Sequence, residues 1–279
     1  MKKKRVGVRL FKAFVLCILL LGIVGVAAGG VFVKHVIDNT PEVTAKDILP
    51  QGYTTSIVDQ NGTVLEQLKD SDSNRVYKKY DEISKYMGDA FVAIEDERFY
   101  QHNGIDFKSI IRAGYQFFKT GGEEAQGAST ITQQLLKNTV FTDWTSEGNN
   151  KIKKIKRKIQ EQYLALEITK YYSKDEILLR YMNAINLGQN TLGVESASLR
   201  YFGKHCSELT ISECAVIASI TQNPSKYNPI RHPEENVKRR KKCLNKMLEL
   251  GFISQTQYDE AMADTDAVYE RIGLYDIDY

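Results

Sequence analysis

The chain has 279 residues, of which 42% are hydrophobic and 26% charged, proportions typical of a globular protein. This length allows one sizeable domain with an anchor, or two small domains. The net charge of +3 hides an asymmetry, because residues 1–33 carry six cations and no acid. Taking these six from the 38 Lys and Arg leaves 32 cations against 35 acids. The remainder is therefore slightly acidic, which argues against a general nucleic-acid-binding protein, and no nucleic-acid partner is expected.

Ala13–Val33 is an uncharged, mostly apolar segment. As a helix it would span about 31 Å, close to the hydrocarbon thickness of a bilayer. The cations of residues 1–12 predict a cytoplasmic basic tail under the positive-inside rule, with the rest of the chain outside the cytoplasmic membrane. A cleaved signal peptide with Ala27–Gly30 at the cleavage site is the alternative, but its apolar region is typically about 7–15 residues long. The sequence favours an uncleaved, single-pass anchor in the cell membrane.

Residues 34–80 are predicted to form a juxtamembrane linker and a β-hairpin. Within them, Tyr53–Leu68 contains two short strand-like runs around Asp59-Gln60-Asn61-Gly62, and Asn-Gly is a strong hairpin signal. From about Asp81 to Ala263 the chain has helical patterns, over a length that can bury one core. Residues 264–279 are interpreted as a C-terminal tail or the start of a linker.

The stretch Glu95–Gly104 is the most informative in the chain. It follows the apolar run Ala90–Ile94 and places two adjacent carboxylates, an arginine, an aromatic ring and a histidine within ten positions. A carboxylate at the end of an apolar segment is partly withdrawn from water, which suits a general acid or base. Glu95 is therefore a candidate catalytic residue.

Phe107–Lys119 is amphipathic, rich in Phe, Ile and Tyr with interspersed cations. It is either a helix that faces the core or a surface helix that enters the membrane interface. The residues taken alone favour the core-facing helix.

Gly127–Asn138 leads from a glycine into hydroxyl residues, and a helix is predicted to begin at Ser129. Helix N-termini present unpaired N–H groups that favour anions. Gln134 and Lys137 are three positions apart and share a face, so Lys137 can hold a phosphate as a point charge. Taken alone, the stretch is more simply explained as a capped helix with an exposed lysine.

Lys151–Glu161 is strongly cationic. Apolar residues at 152, 155, 159, 163 and 166 keep helical spacing, which predicts that one face packs inward. Arg157 and Lys158 precede Glu161 by four and three positions, so both cations can lie beside this carboxylate. Alone, the pattern favours a solvated basic face, although a pyrophosphate-bearing substrate would also need a cationic strip.

Two further amphipathic helices are predicted around Lys174–Asn183 and Arg239–Met247, and each alone would be interpreted as structural. Several helix boundaries are marked by local signals. Starts are indicated by Ser173 with Glu176, Thr210 with Glu213, Ser254 with Gln257, and Pro233, and a stop is indicated by Gly251.

The four cysteines show no CxxC spacing. Cys17 lies in the apolar segment, which leaves Cys206, Cys214 and Cys243, an odd number. Neither a disulfide framework nor a zinc site is indicated, and no metal site is predicted. The cysteines are expected to be small buried apolar residues.

Five stretches in this order carry a family resemblance. The chain resembles the peptidoglycan glycosyltransferase domain of class A penicillin-binding proteins and of monofunctional murein polymerases. That family's pattern reads ED-x-x-F-x-x-H-x-G, G-x-S-T-x-T-Q-Q, R-K-x-x-E, K-x-x-I-L-x-x-Y-x-N and R-R-x-x-x-L-x-x-M. The matching stretches are Glu95–Gly104, Gly127–Gln134, Arg157–Glu161, Lys174–Asn183 and Arg239–Met247.

The resemblance implies a mainly helical fold, with a lysozyme-like head and a smaller membrane-facing jaw between the first two motifs. Phe107–Lys119 falls in that jaw, so insertion into the membrane interface becomes the expectation for this helix. Residues 81–263 would be the peptidoglycan glycosyltransferase domain. The implied acceptor is lipid II, the donor is the lipid-linked growing glycan strand, and the reaction occurs at the cytoplasmic membrane.

The resemblance also implies roles for individual residues. Glu95 would be the general base, and Glu161 the second catalytic carboxylate, assisting at the leaving pyrophosphate or organising its neighbours. Lys137, Arg157 and Lys158 would stabilise charge on the leaving diphosphate. The other implied substrate-binding residues are Ser129, Thr130, Gln134 and Asn138, around the donor, and Asp96, Arg98, Phe99 and His102, which shape the first site.

No cofactor is expected to be required. A divalent cation, Mg²⁺ or Mn²⁺, could bridge pyrophosphate and carboxylate, but the sequence contains no dedicated metal cage. Partners in a cell-wall synthesis complex are compatible with the resemblance.

Class A proteins also carry a transpeptidase half, whose S-x-x-K motif does not occur here. Lys119-Thr120-Gly121 matches the K-T-G motif by its letters but falls inside the glycosyltransferase region. The chain is expected to be monofunctional or part of a larger bifunctional protein. Two other functions stay open: a lysozyme-like lytic glycosidase, and a non-catalytic scaffold for wall synthesis.

Overall fold

The computed structural model describes residues 2–49, 55–61, 64–68, 75–120 and 127–275. Within them the chain is mainly helical, with a single two-stranded sheet. The predicted fold class, a helical protein with an N-terminal apolar helix and a β-hairpin before the helical region, is confirmed. In chain order the elements are α1 (Lys2–Asp38), β1 (Thr55–Val58), β2 (Val64–Leu68), α2 (Lys85–Glu95), α3 (Phe107–Lys119), α4 (Ile131–Thr139), α5 (Lys151–Ile168), α6 (Lys174–Ala184), α7 (Val194–Phe202), α8 (Ile211–Ala218), α9 (Pro233–Glu249), α10 (Gln255–Ala263) and α11 (Thr265–Glu270).

Helix α1 is longer than the predicted anchor and runs without a break to Asp38. Its segment Val15–Asp38 contains an 18-residue window with a mean hydropathy of 2.7, none of which is buried inside the protein, so the segment is long and apolar enough to cross a membrane. The end of α1 packs against α5, Val36 is 3% exposed, and Gln160 Nε2 donates to the Asn39 carbonyl at 3.3 Å. The start of the predicted linker is therefore helical and attached to the body.

The hairpin forms where it was predicted. Strands β1 and β2 pair antiparallel with Thr55 opposite Leu68, and the register shifts between Ile57 and Val58. The Asn61 N–H donates to the Asp59 carboxylate at 2.8 Å, which starts the turn. Gly62 and Tyr53, which were part of the prediction, lie outside the described residues.

The main hydrophobic core surrounds α2. Met87, Ala90 and Phe91 are fully buried, and α2 packs against α8 and α9. A second, smaller cluster joins α4 and α5 to Ile48 of the juxtamembrane segment. Because α2 is enclosed by other helices, the residue at its C-terminal end is fixed in position.

The helix boundaries follow the local signals. Ser173, Thr210 and Ser254 accept hydrogen bonds from backbone N–H groups three residues later, each within a capping box. Pro233 is the first residue of α9, and Gly251 has φ of +73° just after it. One start was predicted two residues early: α4 begins at Ile131.

The prediction of an inward apolar face on α5 is wrong for its first two turns. Ile152 and Ile155 are 62% and 53% exposed. The buried residues of α5 lie in its second half and include Leu164, Ala165 and Ile168. Helical spacing shows which residues share a face, but it does not determine what covers that face.

The core-facing prediction for α3 is also wrong, and the exposed helix implied by the family resemblance is what the structure contains. The helix buries Ser109 and Ala113, its small residues. The large apolar side chains form a stripe on the outside, which we call the α3 stripe. It consists of Phe107, Ile111, Tyr115 and Phe118, at 66%, 72%, 67% and 85% exposure.

The cysteine prediction is confirmed for the body of the protein. Cys206, Cys214 and Cys243 are buried and unpaired, whereas Cys17 is exposed on α1. Burial raises the pKa of Cys243 to about 12, so this thiol stays neutral.

Gly104 provides a test of how tightly the first motif is packed. Its φ is +90°, and a Cβ there would press against the backbone carbonyl of Ala165 in α5. Gly104→Ala is expected to destabilise the fold by roughly 1–3 kcal/mol beyond its backbone strain, measured as a lower melting temperature in detergent. Gly127→Ala is the matched control, because Gly127 has φ of +89° but, among the described residues other than its chain neighbours, such a Cβ meets no atom within 4 Å. Equal losses in the two variants would contradict tight packing at residue 104.

Candidate active site

The site is built around Glu95, the last residue of α2. Its side chain is 9% exposed and accepts hydrogen bonds from three parts of the fold. Gln134 Nε2 donates to Oε2 at 2.8 Å. Thr221 Oγ1 and Arg239 Nη2 both donate to Oε1, each at 2.5 Å.

These donors offset a cost that the position itself creates. A carboxylate at a helix C-terminus meets the negative end of the helix dipole, and Glu95 is also largely withdrawn from water. Arg239 supplies the compensating charge. Its guanidinium lies 5.2 Å from the Tyr227 ring centroid and also donates to the Gln222 side chain at 2.6 Å.

Asp96 links the first motif to the start of α4. It is 6% exposed, and its carboxylate accepts from the Ile131 N–H at 3.0 Å and lies 2.9 Å from His102 Nε2. Ile131 is the first residue of α4, where unpaired N–H groups favour an anion. Asp96 therefore serves as a helix anchor at one edge of the cleft.

Arg98 and Phe99 lie beneath the site. Arg98 pairs with Asp106 at 2.7 Å and donates to Ser109 at 3.0 Å, which fixes the start of α3. Phe99 is fully buried, and the ammonium of Lys174 lies 4.4 Å from its ring centroid. Both residues, together with His102, support the first motif from below.

Thr130 also has a structural function. It is 1% exposed, caps α4 by accepting from the Gln133 N–H at 3.2 Å, and donates to the Gly104 carbonyl at 2.7 Å. Its hydroxyl is therefore occupied by the fold, in contrast to the donor-positioning role that the resemblance implied.

On the other side of the cleft, α5 presents a compact charge cluster. Glu161 is fully buried and is held by Arg157 and by Lys158, whose Nζ lies 2.5 Å from Oε2. Arg157 also pairs with Glu147 at 2.8 Å. Lys158 contacts Ser129 Oγ at 3.3 Å. The prediction that both cations lie beside Glu161 is confirmed.

Lys137 completes the cationic side of the cleft. Its ammonium lies 3.7 Å from the ring centroid of Trp144, a cation–π contact. Burial, followed by the neighbouring charge of Lys158, lowers the pKa of Lys137. An anionic ligand bound here would therefore reduce the repulsion between the cations of the cluster.

The cleft consists of two adjoining chambers, and the residues that line both are Ile94, Glu95, Gly127, Ser129 and Lys242. The cationic chamber encloses about 410 Å³. The front chamber encloses about 270 Å³. Other residues that line the cationic chamber include Gln134, Lys137, Asn138, Trp144, Lys158, Thr221 and Arg239. Other residues that line the front chamber include Asp96, Glu97, Asp106, Arg112, Thr130 and Lys246.

The structure thus separates the predicted site residues into two groups. The chamber walls contain Glu95, Asp96, Ser129, Thr130, Gln134, Lys137, Asn138 and Lys158. The residues behind the walls are Arg98, Phe99, His102, Arg157 and Glu161.

Sequence reasoning assigned no role to Arg239, Thr221, Trp144 or Lys242. Arg239 could have been found, because it opens the fifth motif. Trp144 is the only tryptophan in the chain, but it belongs to none of the five stretches. Among the described residues, no group of three His, Cys, Asp or Glu side chains could hold a metal ion.

The chain is similar to known proteins over most of its length. The family model described as Transglycosylase matches residues 61–248. The chain belongs to the transglycosylase family. Penicillin-binding protein 1A of Clostridium perfringens (strain 13 / Type A) is 40% identical over 266 residues, 92% of this chain and 38% of that protein. Penicillin-binding protein 1F of Bacillus subtilis is 41% identical over 212 residues, 76% of this chain and 28% of that protein.

The chain therefore spans little more than a third, or less, of the length of these curated relatives. Among solved structures, the crystal structure of penicillin-binding protein 1A from Haemophilus influenzae has a TM-score of 0.41 and 23% identity. It covers 77% of this chain and 20% of that one.

Lys174 gives a pH-dependent test of the packing beneath the site. Burial lowers its pKa to about 8, and Asp96 opposes this shift only partly. Because the pKa is lower in the folded state than in the unfolded state, the charged lysine opposes folding, and the penalty diminishes as pH rises through 8. The stability of Lys174→Met relative to the wild type should therefore be greatest below pH 8 and decline above it.

The measurement is chemical denaturation from pH 6 to pH 10, with the exposed Lys241→Met as control. A stability difference for Lys174→Met that does not change across this range would contradict the assignment.

Proposed function

We propose that the chain polymerises lipid II into peptidoglycan glycan strands by inverting glycosyl transfer, with release of polyprenyl diphosphate. The observation that carries the proposal is the position of Glu95 at the junction of two chambers, one of which is lined by cations. A transferase of this kind needs a base at the reacting centre, and it needs positive charge where the diphosphate leaves.

The two chambers would bind different substrate groups. The donor diphosphate would occupy the cationic chamber, and the acceptor sugar would enter the front chamber. The acceptor hydroxyl gives its proton to Glu95 while its oxygen attacks the donor anomeric carbon. The bond from that carbon to the diphosphate oxygen breaks, and its electron pair stays on the diphosphate. Attack opposite the leaving group converts an α-linked donor into a β-linked product.

The hydrogen bonds of Glu95 suggest which oxygen takes the proton. Oε1 accepts from both Thr221 and Arg239, whereas Oε2 accepts from Gln134 alone among the described residues. Oε2 therefore has the freer lone pair, and an acceptor hydroxyl can approach it without breaking the ion pair. Arg239 acts as a positioning residue that fixes the carboxylate.

The charge cluster of α5 supports a role in stabilising the leaving group. Lys137 and Lys158 reach the cationic chamber directly. Arg157 and Glu161 act from behind, because Glu161 is fully buried and holds both cations of the motif. Of the two roles implied for Glu161, the geometry favours organising its neighbours over direct contact with the sugar.

The other implied residues contribute in different ways. Ser129, Gln134 and Asn138 would contact the donor in the cationic chamber. Asp96 and Thr130 would keep the chamber wall in place through α4. The residues that would support the first motif from below are Arg98, Phe99 and His102.

The membrane setting follows from two surfaces. Helix α1 would cross the cytoplasmic membrane with its N-terminus inside, and the rest of the chain would lie on the outer side. The α3 stripe exposes four large apolar residues, which suits insertion at the interface beside the lipid-linked substrates. A divalent cation, if used, would be held mainly by the diphosphate, since Glu95 is the one carboxylate among the described residues that line the cationic chamber.

A lysozyme-like glycosidase is the alternative enzyme. It would share the carboxylate, but a neutral glycosidic linkage has no diphosphate to bind. The cationic chamber therefore favours the transferase. A non-catalytic scaffold would not need Glu95 to be charged and held at the junction of the chambers.

Glu95→Gln tests the base. The substitution keeps the shape of the side chain but removes its capacity to accept a proton, so glycan polymerisation from purified lipid II should fall roughly 10²–10⁴-fold. Glu167→Gln is the control, because Glu167 is also a partly exposed carboxylate in an ion pair, with Lys170 at 2.6 Å, and it lines neither chamber. Product sizing by gel electrophoresis would reject the assignment if the Glu95 variant formed chains at a near-normal rate with its fold intact.

Two α5 variants test the cationic chamber. Lys158→Met removes a charge from the chamber wall and one of the two cationic partners of the buried Glu161. It should therefore weaken binding of a lipid-diphosphate analogue about tenfold and also lower the melting temperature. Arg157→Met should weaken binding and also lower the melting temperature, because it leaves Glu147 and Glu161 short of a partner. Lys170→Met, just beyond the same helix, is the control. Unchanged affinity in both α5 variants, measured by calorimetry, would refute the role of the chamber.

A further inference from the structure

The proposed transfer chemistry uses Arg157 and Lys158 but leaves the beginning of α5 without a function. Its first six residues contain four lysines, Lys151, Lys153, Lys154 and Lys156, and two isoleucines, with no acid. All six are exposed. Within the described parts of the chain, none of the four lysines forms an ion pair. We call residues 151–156 the basic turn pair.

The exposed isoleucines distinguish this surface from an ordinary solvated basic face. Ile152 and Ile155 are three positions apart, so they lie on one side of the helix, and they are 62% and 53% exposed. A helix that combines adjacent lysines with exposed apolar residues matches the pattern of segments that lie in a membrane interface. The positive end of the helix dipole adds to the charge of the lysines.

The same helix contacts the membrane anchor. Helix α1 packs against α5, and Gln160 donates to the carbonyl of Asn39, the residue that follows α1. Asn39 lies about 9 Å beyond Val33, where the uncharged segment ends, and Ile152 lies about 12 Å from Gln160 along α5. The headgroup layer adds several ångströms on each side of the hydrocarbon. The contact with α1 thus attaches α5, and with it the basic turn pair, to the end of the membrane anchor.

We propose, from the anchorage of α1 and not from the transfer chemistry, that the basic turn pair docks on anionic lipid headgroups of the bilayer. The lysines would contact lipid phosphates, and Ile152 and Ile155 would enter the acyl boundary between them. This contact and the α3 stripe would attach the body to the membrane at two separate places. The cleft would then be held in a defined orientation to the membrane surface from which its substrates come.

The test uses the full chain in vesicles, without substrate. Ile152→Cys in a Cys17→Ser background carries an environment-sensitive fluorophore, and the buried Cys206, Cys214 and Cys243 stay unlabelled. The emission should shift to shorter wavelength in vesicles containing about a third phosphatidylglycerol, compared with phosphatidylcholine alone, since anionic lipid attracts basic segments. The shift should shrink at high salt.

Two sets of substitutions separate a local contact from a general charge effect. Replacing all four lysines of the basic turn pair by Gln should abolish the lipid-dependent shift. Replacing four other exposed lysines by Gln, at Lys79, Lys85, Lys226 and Lys241, changes the net charge equally and should preserve it. A shift that survives the first set, or that is absent in anionic vesicles, would overturn the proposal.

Inorganic diphosphate distinguishes the two sources of phosphate. In phosphatidylcholine vesicles it should leave the emission unchanged. If diphosphate alone reproduced the shift, and the four substitutions removed it, the basic turn pair would belong to the path of the substrate's diphosphate and the headgroup assignment would be wrong. Because no glycosyl transfer is measured, a negative result here is separate from failure of the proposed enzymatic activity.

Discussion

The structure depends on holding one carboxylate at an unfavourable place. Glu95 ends the helix at the centre of the core, where the helix dipole and partial burial both disfavour a negative charge. Arg239 from α9, Gln134 from α4 and Thr221 from the turn after α8 meet on its two oxygens. The cost of the position is offset only if these three elements pack correctly around α2. The packing of the hydrophobic core therefore also determines the positions of the groups around Glu95, and a substitution that disturbs the core will displace those groups.

The cleft is supported by buried charged groups that lie in its walls or directly behind them. Asp96 anchors α4 through the Ile131 N–H, and Glu161 holds Arg157 and Lys158 from a fully buried position. Buried charges are tolerated when each is paired and hydrogen-bonded. Such residues look catalytic in a sequence because they are acids and bases within motifs. In the structure, some residues of the motifs line the cleft and can contact a ligand. The others hold those lining residues in position.

Local signals in the sequence predicted local structure well. The caps at Ser173, Thr210 and Ser254 and the hairpin depend on neighbouring residues, so a short window contains the needed information. The exposure of Ile152 and of the α3 stripe could not be predicted from spacing, because what covers a face depends on distant elements. The ion pair between Glu95 and Arg239 joins residues 144 positions apart. The family resemblance identified both motifs, but only the fold shows that Glu95 and Arg239 are in contact.

The stacking of Lys137 on Trp144 has a practical consequence. Trp144 is the sole indole of the chain, and it forms part of the wall of the cationic chamber. An ammonium ion 3.7 Å from the ring perturbs the excited state of that ring. Any occupant that draws Lys137 away must change the intrinsic ultraviolet emission of the protein. The fluorescence of Trp144 can therefore report occupancy of the cationic chamber in the unlabelled protein.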